Sequence, residues 1–280
     1  MDENDYFIFT LFGRRYRVPK PTRIEITNDD RAQFIQAEKV LDEYHGLPQQ
    51  LIAAFEKFIK IENAPLFHAG MTSFLIAHSF SHGYEYNAKG LEAAGRWLLV
   101  AQEMAPEDEN VLQVGFDYNL AKKEYEPCRE LLELGLKLYP NSFEFHTRRI
   151  SFLTRRGTVR QIEKAIQSTR KLRLTSAQKE TLVNQEAYAY LVRRQWAKAI
   201  KSYRRVTRML PNNPWAWHNL SIAQYESKNG FTAFYSNRRA LSLMDFGAAR
   251  DMQRRILPLF LIQTGAVIAG ILLVFSPILF

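Results

Sequence analysis

His78, His82 and Glu85 stand at i, i+4 and i+7. On a helix that spacing brings two imidazoles and a carboxylate to one face, a donor set suited to a zinc-type ion. The same positions serve helix packing or a solvated surface equally well, and no second ligand group accompanies them. Packing is therefore the first reading and a metal the alternative. Cys128 is the sole cysteine, which excludes a disulfide framework and points to a reducing compartment. The sequence contains no phosphate-binding glycine loop, nucleophile elbow or paired metal motif. It offers no catalytic residue and implies no cofactor, so a non-enzymatic protein is expected.

Arginine is the other chemically informative residue. Arg204 with Arg205, and Arg238 with Arg239, form two pairs 34 residues apart. Arg193, Arg194, Arg208, Arg254 and Arg255 add to them, and together they describe a basic face in the last third of the chain. The charge is unevenly spread. Residues 1–140 carry 15 Lys and Arg against 22 Asp and Glu, a net of −7. Residues 141–256 carry 23 against 7, a net of +16, and residues 257–280 carry none. A basic face of this kind is either an ordinary solvated surface or a contact for anionic lipid, an acidic partner or nucleic acid. Nucleic acid fits least, because no aromatic platform is interleaved with the cations.

The elements that must position these residues start with the tail. From Leu257 to Phe280 there are 24 consecutive uncharged residues. As a helix rising about 1.5 Å per residue they extend about 36 Å, enough for a hydrocarbon core of about 30 Å. The expectation is a single transmembrane tail anchor over 257–280. Arg250, Arg254 and Arg255 precede it as a basic juxtamembrane linker, 247–256, and hold the N-terminal domain on the cytoplasmic side. A bacterial inner membrane and a eukaryotic organelle surface both suit this arrangement. Gly265/Ala269 and Ala266/Gly270 are small-residue pairs four apart, through which two anchors could form a homo-oligomer.

The soluble part repeats. Units beginning at Glu180 and Pro214 are 34 residues apart. The first places Ala187, Tyr190, Ala199, Tyr203 and Pro211 at positions 8, 11, 20, 24 and 32. The second places Trp217, Leu220, Ser221, Ala233 and Ala240 at 4, 7, 8, 20 and 27. Pro106 and Pro140 mark the ends of two earlier units, with Ala94, Leu98 and Ala101 in one, and Phe116, Cys128 and Leu132 in the other. A fifth and weaker unit covers 143–176, its second helix starting near Thr158 or Val159. This pattern resembles the tetratricopeptide repeat (TPR) over residues 74–246. The resemblance implies antiparallel helix pairs whose small residues permit close approach, with proline ending each second helix.

It also implies a concave groove that binds a protein partner. The matching positions are Trp215, His218, Ile222 and Tyr225 in the last unit, and Asn184, Tyr188 and Leu191 in the one before. Asn219 matches one position of the carboxylate clamp with which some relatives hold chaperone tails, but the basic partners are absent. Ahead of the repeats, residues 1–27 read as a β-hairpin-like segment centred on Tyr6–Phe12, and 28–73 as capping helices with Asn28 as an N-cap. The expected fold class is all-α: a TPR-like helical-repeat solenoid with a small N-terminal β-hairpin or cap and a C-terminal transmembrane helix. The expected function is a tail-anchored scaffold or adaptor that binds a protein partner at a membrane. The alternatives are an assembly factor or structural subunit of a membrane complex, and a nucleic-acid or anionic-lipid tether.

Overall fold

A computed structural model describes the chain over residues 5–42, 48–81 and 85–279. The chain divides into two compact units, Met1–Arg148 and Arg149–Phe280.

The first unit opens with strands β1 (Tyr6–Leu11) and β2 (Arg14–Pro19), paired antiparallel from Tyr6↔Pro19 to Leu11↔Arg14. Phe12 and Gly13 form the two-residue turn, both with positive φ (46° and 78°). That geometry matches the right-handed twist of the flanking strands. Alternation sends Phe7, Phe9 and Leu11 inward and leaves Ile8 and Thr10 in solvent. The helices α1 (Asn28–Asp42), α2 (Pro48–Phe58), α3 (Ala64–Ser79) and α4 (Ala88–Met104) supply what the hairpin covers. Phe7 lies 5.0 Å from Trp97 and 5.7 Å from Phe67, and Phe9 lies 5.3 Å from Phe55.

Thr27 caps α1, the place expected of Asn28. Asp30 N donates to Thr27 Oγ1 (3.3 Å), and Thr27 N donates back to Asp30 Oδ2 (2.8 Å). This is the reciprocal capping arrangement that a threonine and an acid three residues apart favour. Asn63 performs a similar junction task. Its Oδ1 accepts from Leu66 N (3.1 Å) at the start of α3, while its Nδ2 donates to the carbonyls of Ile24 and Glu25.

Helices α3 and α4 pack together as a pair, α3 beginning at Ala64. Between them the chain leaves the helix and forms short strands β3 (Phe80–Ser81) and β4 (Glu85–Tyr86). The pair α5 (Glu109–Lys122) and α6 (Tyr125–Leu138) follows, then α7 (Phe143–Arg156). Cys128 is buried and faces the Phe116 carbonyl at 3.6 Å. Gly135 faces the buried Phe145 ring, with no room for a β-carbon.

The second unit continues with α8 (Val159–Arg170), α9 (Ser176–Val192), α10 (Trp196–Met209), α11 (Pro214–Glu226) and α12 (Gly230–Leu243). Thr158 and Thr175 begin α8 and α9 with capping boxes closed by Gln161 and Gln178. The small residues Ala187, Ala199, Ala233 and Ala240 are all fully buried at helix crossings.

The tail differs from expectation. Residues 247–256 are helical rather than a linker, and belong to α13 (Gly247–Leu279), a single helix of 33 residues. Ala249, Met252 and Ile256 recur on one helical face and are buried, the last two in a cluster with Ala233. The contact continues into the apolar run, where Phe260 stacks on Phe234 at 4.2 Å. Gln263 Oε1 accepts from Gly230 N (2.8 Å), and Gln263 Nε2 donates to Lys228 O (2.7 Å). A β-carbon at Gly230 would lie 2.8 Å from Gln263 Oε1 and 3.0 Å from both Leu259 Cγ and Phe260 N, so this close approach favours glycine. Among the described residues no helix is long and apolar enough to cross a membrane.

Candidate partner-binding surface

The groove expected from the repeat pattern divides between two helices with different fates. Trp215 lies 4.4 Å from Phe246, and His218 is buried between Phe246 (5.3 Å) and Asn237, whose Oδ1 is 3.3 Å from His218 Nδ1. Burial pushes the His218 imidazole below its ordinary pKa. Ile222 and Tyr225 pack on the cluster of Ala233, Met252 and Ile256. These four positions of α11 are therefore filled by the chain's own residues. The reason lies in α13, which packs on the last helical pair as the next helix of a stack would and seals its apolar face.

Helix α9 keeps an open surface. Tyr188 and Val192 are 47% and 44% exposed, and lie four residues apart on one face with Asn184 and Thr181. Leu191 turns from that face into the core of the second unit. The strip is apolar and aromatic at its centre and polar at its end, the composition of an interface core with its rim.

The nine expected basic-face arginines also sort by geometry. Arg204, Arg205 and Arg208 are exposed on α10, and Arg238 and Arg239 on α12. Arg193 turns inward, where Nη2 donates to the carbonyls of Leu153 (3.2 Å) and Gly157 at the end of α7. Leu153 O also accepts from Gly157 N (2.7 Å), so the guanidinium adds a second bond to a carbonyl of the last turn. Arg194, next in the chain, is exposed at φ 54°. Arg254 pairs with Asp251 (3.2 Å) and Arg255 with Glu226 (3.7 Å), and Arg255 also lies 5.5 Å from the centre of the Tyr225 ring.

The metal alternative loses its helical geometry. His78 sits in the last turn of α3, 5.9 Å from Phe74 and 6.2 Å from Phe12. The helix stops at Ser79, and Glu85 falls in β4, so i, i+4, i+7 no longer describes one face. His82 lies outside the described residues. Among the described residues no group of three or more His, Cys, Asp or Glu could hold a metal ion.

The helical pairs match solved structures. One is a chain of the Cut9–Hcn1 hetero-tetramer of APC/C, with a TM-score of 0.58 and 10% identity, covering 82% of this chain and 46% of that one. Another is a tetratricopeptide repeat protein from Parabacteroides merdae, with a TM-score of 0.54 and 11% identity, covering 82% and 86%. The fold is tetratricopeptide-like. This chain aligns with less than half the length of the Cut9–Hcn1 chain. No family model and no curated protein matches the sequence.

The TPR-like surface contained one signal that sequence reasoning passed over. Lys123, Arg194 and Lys228 all adopt left-handed backbone, at φ 64°, 54° and 62°, and each ends the first helix of a pair. Glycine or asparagine fits that conformation at least cost. A long cation there carries strain of about 1 kcal/mol. The recurrence of Arg194 and Lys228, 34 residues apart, is visible in the sequence.

Proposed function

We propose that this protein is a repeat scaffold that binds a protein partner along the exposed strip of α9 and is held at a membrane by its apolar tail. The carrying observation is the open Tyr188–Val192 face, which stays uncovered while the equivalent face of α11 is sealed. The membrane part of the reading is supported by the uncharged run Leu257–Phe280. It is also supported by Leu261, Ile262, Val267 and Ile268, all exposed on α13, with Ile262 at 70%. Exposed apolar residues in such a run favour hydrocarbon over water. Arg250, Arg254 and Arg255 ahead of the run favour a cytoplasmic repeat domain.

Affinity purification from membranes in mild detergent tests the reading, comparing wild type with Tyr188→Ala, Val192→Ser. A partner that co-purifies with wild type and is lost from the variant supports the α9 strip. A partner retained by both identifies a structural subunit that binds through another face, and refutes the strip. Recovery of the chain in the soluble fraction refutes the anchor.

A further inference from the structure

The second unit has a tail-side edge whose composition follows a pattern. Helices α11 and α13 both run antiparallel to α12. Gly230 lies beside Gln263, while Asn237 Nδ2 reaches Ala249 O (2.8 Å) and Gln253 Oε1 (2.9 Å). The α11–α12 turn is therefore level with Gln263, and α13 continues past it. The contact of Arg193 with Leu153 O and Gly157 O puts the α7–α8 and α9–α10 turns side by side. In antiparallel pairs of this fold, the turns inside successive pairs share one edge. That edge presents Arg155 and Arg156, then Arg194, then Lys228, all exposed. Two nearby carboxylates are already occupied, Glu163 by Lys198 (2.8 Å) and Glu226 by Arg255 (3.7 Å). On the opposite edge, Lys171 and Arg173 occupy one loop, while the other two carry Asn212 and Asn213, and Asp245 paired with Arg250.

The direction of the tail sets what the edge meets. Beyond Gln263 the helix has residues 264–279, which extend about 24 Å. Since α13 continues past Gln263 on this side of the unit, a bilayer entered by the run faces this edge, and the edge's cations decide how closely it settles on the headgroups. Tyr235, 65% exposed in the second turn of α12, suits that boundary.

We propose that the edge formed by the α7–α8, α9–α10 and α11–α12 turns is a contact surface for the headgroups of an anionic bilayer. The proposal rests on the tail-anchor reading above. Each cation near such a surface is worth about a fivefold gain in partition. Lipid contact is thus assigned to the turn edge rather than to the helix-borne arginines Arg204, Arg205, Arg238 and Arg239.

The test uses the full chain reconstituted into vesicles of phosphatidylcholine, with or without phosphatidylglycerol. An environment-sensitive thiol probe is placed at Ser227→Cys on the edge or Asn212→Cys on the opposite side. The native Cys128 is fully buried and does not compete. On anionic vesicles the Ser227→Cys probe should be about fivefold or more shielded from an aqueous quencher, and the Asn212→Cys probe unshielded. Arg155→Glu, Arg194→Glu, Lys228→Glu should abolish that shielding while leaving carbonate-resistant insertion into neutral vesicles intact. If the chain inserts but the two probes are equally open, the edge proposal is overturned and the anchor stands. If carbonate extracts the chain from both vesicles, the anchor reading fails and this proposal falls with it.

Discussion

Gln263 is the polar residue that joins the repeat to the tail, and Gln263→Met isolates its contribution. Methionine keeps the length and the helix propensity of glutamine but removes both the bond from Gly230 N (2.8 Å) and the bond to Lys228 O (2.7 Å). Each is worth about 1 kcal/mol net, and Gly230 N loses its partner at a buried site. The stack of Phe260 on Phe234 remains. Release of α13 from α12 should become easier by about 2 kcal/mol, a factor of about 30 in the opening equilibrium. Amide hydrogen exchange of the detergent-solubilised chain reads this directly, since it follows local opening. The amides of Ala249–Phe260 should exchange about 30-fold faster, and those of α2 and α3 at their wild-type rate. Thr264→Val is the control, because Thr264 Oγ1 bonds only its own helix at Phe260 O (2.8 Å). Unchanged exchange in Gln263→Met would refute the clamp and, with it, the fixed position of the turn edge relative to the tail.

Two further outcomes test the first unit. Gly135→Ala should lower stability by about 2 kcal/mol. Overpacking against Phe145 costs up to about 3, offset by about 1 from helix propensity; Phe145→Leu in the same chain should restore part of the loss, and a raised melting temperature would contradict the packing. At Asp30, the hydrogen bond from Arg23, followed by those from Thr27, holds the carboxyl well below the usual carboxylate range. A depressed folded pKa gives stability that is present above the ordinary value of about 4 and is lost as pH falls through the folded value. Urea unfolding between neutral and acid pH should show wild type losing stability faster than Asp30→Asn, and parallel curves would refute the pairing.

What the sequence disclosed, and what it hid, follows from how each feature is encoded. The helical pairs were legible because close helix crossings demand small residues at fixed spacing, and Ala94, Ala101, Ala187, Ala199, Ala233 and Ala240 are fully buried. The hairpin was legible because Phe7, Phe9 and Leu11 alternate with solvent-facing neighbours. The start of α13 was not. Ala249, Met252 and Ile256 carry its apolar stripe, but Arg250, Arg254 and Arg255 interrupt the chain between them and the longer uncharged run dominates. The covering of the α11 part of the groove was hidden for a related reason: repeat positions identify which face Trp215, His218, Ile222 and Tyr225 share, but only the fold shows that Phe246 and α13 return to pack on it. The single helical face that would have joined His78 to Glu85 was an assumption of spacing alone, and the helix ends at Ser79 before Glu85 is reached.

The docking of the hairpin sets a schedule for synthesis. Phe7 finds its ring partners at Phe67 and Trp97, the latter 90 residues later in the chain. At a translation rate of about 5–20 residues per second, the strand waits about 5–18 s before that partner exists. A two-stranded hairpin is marginal alone, and its aromatic face is open during that interval. Mutations that slow elongation between Phe58 and Trp97 would lengthen the exposure of a sticky strand without altering a single native contact, and so act on yield rather than on stability.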